Sequence, residues 1–65
     1  MTIKEINERV TKIAEIADDP EYAHMEEDKL LDEVLKAIAG GHPRPKSLAA
    51  AALKANEIEF SRWYA

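Results

Sequence analysis

The sequence predicts a small all-α, three-helix domain with an aromatic C-terminal tail docked against it. Apolar residues recur at three- and four-residue steps over residues 3–17 and 23–38, the pattern of helices with one buried face. Turn and stop residues separate these runs, at Asp18-Asp19-Pro20 and at Gly40-Gly41. The 65 residues leave room for a single domain, residues 1–65, whose core is marginal in size.

The first helix is expected over residues 2–17. Thr2 caps it, with Glu5 three residues on completing a capping box that satisfies otherwise unpaired N–H groups. Ile3, Ile6, Val10, Ile13 and Ala17 form its apolar stripe, widened by Ile16. The second helix is expected over residues 20–39, entered through an Asp18-Asp19 turn and a proline whose fixed φ suits the first helical position. One of its stripes holds Ala23, Glu27, Leu30, Val34 and Ile38, and the neighbouring one His24, Asp28, Leu31, Leu35 and Ile38. Gly40-Gly41 ends it through the left-handed conformation, and His42-Pro43-Arg44-Pro45 makes a stiff connector. A third, alanine-rich helix is expected over residues 46–55, stopping at Asn56, with small residues for close approach and Leu48 and Leu53 as packing knobs. The tail, residues 57–65, holds three of the four aromatics, Phe60, Trp63 and Tyr64, and is therefore expected to close the core. Its pattern fits either an extended segment or a last helical turn.

Composition excludes several classes of chemistry. There is no cysteine, hence no disulfide, thiolate metal site or cysteine nucleophile, which leaves helix packing or homodimerisation as the support for so small a core. No stretch of about 18 apolar residues predicts a membrane span, the opening residues do not resemble a signal peptide, and a cytoplasmic location is expected. The net charge of −4 is uneven: residues 18–33 carry eight acids against Lys29, whereas residues 34–56 carry Lys36, Arg44, Lys46 and Lys54 and no acid. An acidic middle disfavours nonspecific nucleic-acid binding and suits a basic protein partner. A helix-turn-helix-like binder using Arg44, Lys46 and Lys54 is the competing reading, opposed by the proline-containing connector and the net charge.

The unusual feature is polar substitution on the core-facing side of the second helix, at His24, Glu27 and Asp28. An unpaired charge there would cost several kcal/mol. A divalent metal shared by these three side chains is one reading, by analogy with Glu-x-x-His pairs in bundles, but the order is reversed and no second pair exists. Acid-base catalysis is another, though so short a chain offers little concave volume. The favoured reading is structural: Glu27 or Asp28 pairs with Arg62, Arg9 or Lys12, Arg62 being preferred because Phe60 and Trp63 would carry its planar guanidinium to the bundle. No cofactor is expected.

Arg9-Val10, Ala23-His24, Glu27-Asp28, Leu30, Val34-Leu35, Ala37-Ile38 and the closing Phe60-Ser61-Arg62-Trp63-Tyr64-Ala65 resemble a group of short proteins of actinobacteria and their bacteriophages. The resemblance implies an intracellular product of a phage or mobile element, of the kind that acts by binding a host protein. The function expected from the whole sequence is accordingly a non-catalytic protein-interaction module. Its partner, or a second copy, would meet the acidic face (Glu21, Glu26, Asp32, Glu33) or the tail (Phe60, Arg62, Trp63, Tyr64). Were that partner a nucleic-acid binder, the acids would act as a charge mimic.

Overall fold

Thr2 starts the first helix as its residue type requires: its side-chain oxygen accepts the Glu5 N–H at 3.1 Å, while its hydroxyl donates to the Glu5 carboxylate at 3.2 Å. The computed structural model describes residues 1–62, in which α1 (Ile3–Glu15), α2 (Pro20–Ala39) and α3 (Pro45–Leu53) pack against one another, with a 3-10 turn (Lys54–Glu57) after α3. The all-α three-helix class is as the sequence predicts. Trp63 and Tyr64 lie outside the described residues.

The ends of the helices depart from expectation where the chain turns sharply. Helix α1 stops at Glu15, not Ala17, because only four residues separate it from α2 and they tighten into i→i+3 bonds, Ile16 N–H to Ile13 C=O at 3.2 Å and Asp19 N–H to Ile16 C=O at 3.0 Å. Asp19 then caps α2, its carboxylate accepting the Tyr22 N–H at 3.2 Å, with Pro20 in the first turn. At the other end Gly41 adopts φ 90°, and the N–H groups of Gly41 and His42 reach back to the carbonyls of Ile38 and Ala37 at 3.0 and 3.1 Å, the paired bonds of a Schellman motif. Helix α3 begins at Pro45 and loses α geometry after Leu53, so the expected helix end at Ala55 is instead a 3-10 turn.

The connector is tied down more firmly than its prolines alone would make it. The Arg44 N–H donates to His42 Nδ1 at 3.0 Å, which leaves Nε2 to carry the ring proton and donate to the Met1 carbonyl at 2.9 Å. His42 thus holds the start of the chain against the turn before α3.

The core is thin. Among the described residues its buried hydrophobics are Ile6 and Ile13 of α1, Ala23, Leu30 and Val34 of α2, Leu48, Ala51 and Ala52 of α3, and Ala55. Four of those nine are alanines, which bury little area each, and Ala51 and Ala52 let α3 come close to its neighbours. Ile58 and Phe60 pack onto this cluster, so the described part of the tail docks, with Ile58 in extended conformation and residues 59–62 in no regular secondary structure. Leu53, expected as a packing knob, is 56% exposed. It lies five residues from Leu48, about 140° around the helix, and Leu48 is the one turned inward. No helix among the described residues is long and apolar enough to cross a membrane.

A Cβ on Gly41 would meet nothing within 4 Å, so only the backbone conformation resists substitution there. Gly41→Ala is expected to lower the unfolding free energy by about 1–2 kcal/mol in urea titrations, the cost of a left-handed non-glycine residue.

Candidate functional site

The first turns of α2 separate the three polar residues that the sequence places together. Glu27 faces inward among Ala23, Leu30 and Val34 and is 4% exposed. Asp28, one residue on, points outward, and its carboxylate lies 3.4 Å from Nε2 of the half-buried His24. Among the described residues no group of three or more His, Asp or Glu side chains converges as a metal would need.

Arg62 meets Glu27 from across the fold. Its Nε donates to both carboxylate oxygens, at 3.1 and 3.3 Å, and its Nη2 to Oε2 at 2.9 Å, the fork geometry in which guanidinium and carboxylate match best. The rest of the guanidinium is taken up by backbone: Nη2 also reaches the carbonyls of Ala55 and Ile58, at 3.1 and 2.9 Å, and Nη1 that of Phe60 at 3.3 Å. The Phe60 ring closes over it, 3.8 Å from the guanidinium carbon to the ring centre. Hydrogen bonding to Glu27 raises the Arg62 pKa above its ordinary value despite the opposing effect of burial, and the charges of Glu27 and Glu59 add to the rise. No buried side-chain polar atom among the described residues lacks a partner. The arrangement is a structural clasp: both carboxylate oxygens accept from the guanidinium, and most of its N–H groups are turned to Glu27 and to backbone carbonyls.

The other acids of α2 are also engaged. Glu33 takes the Arg9 guanidinium at 2.7 Å, which removes Arg9 as a partner for Glu27 or Asp28 and links α1 to α2. Asp32 holds Lys36 at 2.9 Å and, chiefly through that hydrogen bond, pushes its ammonium pKa up. Glu26 lies 3.7 Å from Lys29. Glu21 is exposed and in no ion pair among the described residues. The expected acidic face is therefore present, but three of its four members are already neutralised by neighbours.

Sequence reasoning missed a groove between α2 and α3. It is lined by Leu31, Leu35 and Ile38 on one side and by Ala49, Ala52 and Leu53 on the other, encloses about 210 Å³ and has almost no polar atoms in its walls. Leu35 is 66% exposed at its edge, facing the exposed Leu53 across it. The available signal was the second apolar stripe of α2, which is wider than the buried one needs to be.

Replacing Arg62 with alanine is expected to destabilise the fold by about 2–3 kcal/mol, less than the usual loss for a broken buried pair because the Arg62 side chain keeps 31% exposure. Adding Glu27→Leu to that variant should recover most of the loss in urea denaturation, since the stranded carboxylate is then gone. A loss no larger than about 0.5 kcal/mol for Arg62→Ala would place the pair among ordinary surface ion pairs.

No family model, curated protein or solved structure matches the chain, which leaves its own side chains as the guide to function.

Proposed function

We propose that this chain is a non-catalytic protein-interaction module that engages its partner through the outer face of α2 and α3. The observation that carries this reading is the apolar groove with Leu35 and Leu53 standing exposed on its two edges. Large aliphatic side chains on facing edges of one cleft form a contiguous patch, which is the usual mark of a binding surface on so small a domain. Asp28 and Asp32, exposed three residues before Leu31 and Leu35, add an acidic rim that favours a partner with basic groups around an apolar anchor.

Two earlier options recede for physical reasons. Phe60 and Arg62 are spent on the clasp with Glu27, so this part of the tail is occupied within the chain. Glu26, Asp32 and Glu33 are compensated by Lys29, Lys36 and Arg9, which makes them a rim and not the main determinant. A cytoplasmic setting and a phage or mobile-element origin fit the resemblance of Ala23-His24-x-x-Glu27-Asp28 and Arg62-Trp63-Tyr64-Ala65 to short proteins of actinobacteria and their bacteriophages, and belong to the same proposal.

A photo-crosslinking residue placed at Leu35 or Leu53, in cells that make the protein, is expected to give a discrete protein adduct, while the same residue at the exposed Glu8 of α1 gives none. Absence of any adduct from both leucine positions would overturn the reading. Leu35→Glu and Leu53→Glu should change stability by no more than about 0.5 kcal/mol, as substitutions at exposed sites do.

A further inference from the structure

We infer that the groove between α2 and α3 is covered by a second copy of this chain, related by a two-fold axis that runs along the groove; the inference rests on the interaction reading above. Charge decides for a second copy. The α2 edge carries carboxylates: Asp28 and Asp32 lie three residues before Leu31 and Leu35, on the same flank, and both are exposed, Asp28 3.4 Å from His24 and Asp32 shared with Lys36 at 2.9 Å, a solvent-exposed pair that a partner's ammonium can join or replace. The α3 edge carries ammonium groups: Lys46 precedes Ala49 by three residues and Lys54 follows Leu53, both exposed and in no ion pair among the described residues. A surface with acids along one edge and bases along the other is complementary to itself when turned by half a revolution.

The geometry sets the register. Helix α3 starts at the C-terminal end of α2 and runs back along it, since only residues 40–44 separate the two and both line one groove. An axis along the groove lays each α2 over the partner's α3. Leu35 then enters the alanine-lined half of the opposite groove, where Ala49 and Ala52 leave room for it. Asp28 and Asp32 come opposite the partner's Lys54, while Lys46 comes over the C-terminal end of the partner's α2, whose carbonyls carry partial negative charge. The core gives the pairing a further reason, because association adds apolar burial to a domain in which, among the described residues, four of the nine buried hydrophobics are alanines.

The experiment is light scattering on the full chain across micromolar to millimolar concentration, supported by sedimentation equilibrium. The wild type is expected to reach twice its 7.3-kDa mass. Leu35→Glu and Leu53→Glu should each weaken association by about tenfold or more, given the roughly 1.4 kcal/mol or more that one buried aliphatic side chain supplies, with the helical circular dichroism unchanged. Charge reversal gives the sharper outcome. Asp28→Lys/Asp32→Lys alone and Lys54→Glu alone should each dimerise less well than wild type, whereas their mixture should recover a heterodimer, because both of its edge contacts again join opposite signs. A chain that stays monomeric throughout, a dimer indifferent to both leucine substitutions, or a mixture no better than its components overturns the inference. Monomer in solution together with a crosslink from Leu35 to a different protein would leave the interaction reading standing and remove only the second copy; monomer with no crosslink would remove both.

Discussion

A carboxylate in the middle of a helical seam constrains everything around it. Glu27 sits on the stripe that α2 turns toward α1 and α3, and a buried charge without a counterion would cost more than a domain of this size can bear. Arg62 resolves this by bringing a planar cation whose remaining N–H groups are absorbed by the carbonyls of Ala55, Ile58 and Phe60. The same contacts dictate the path of the chain after α3. The tight turn at Lys54–Glu57 and the irregular run beyond it place three carbonyls around one guanidinium, and the Phe60 ring covers one side of it. A pair of apolar residues could be equally stable there, but would leave the tail without directional bonds to fix its course.

The clasp has a consequence for the rest of α2. With Glu27, Leu30 and Val34 committed inward, the adjoining stripe of Leu31, Leu35 and Ile38 is carried to the boundary of the fold. Helix α3 does not cover it, since the residues it turns that way are Ala49 and Ala52 beside an outward Leu53. Close backbone approach through alanines and an open cleft are thus two results of one choice of small side chains.

Much of this was legible in the residues, and the failures have identifiable causes. Local chemistry sufficed for the cap at Thr2, the Asp19-Pro20 entry to α2 and the glycine exit at Gly41, because each depends on neighbours within a few positions. The Glu27–Arg62 pair was legible too, since a charge at an apolar position demands a partner and few cations had neighbours that would bring them inward. The choice between Glu27 and Asp28 was not, for it turns on about 100° of helical phase. The ends of α1 and α3 were set by tertiary demands, a short turn in one case and Arg62 reaching for Ala55 in the other. His42 does lie in the connector between α2 and α3, but its tie to the Met1 carbonyl was not legible because that partner is 41 residues away. The groove escaped because periodicity reports which residues share a face, not whether a neighbour arrives to cover them.

The clasp also orders events in time. Glu27 and Arg62 are separated by 35 positions, so on the ribosome the acid is made, and the helix around it can form, well before its counterion leaves the exit tunnel. The three helices are built mainly from local contacts and can form early in folding, yet the bundle must keep one carboxylate hydrated until the arginine docks. Tight closure of the seam therefore waits on that arginine, and a chain without it would keep a wet, half-open interior.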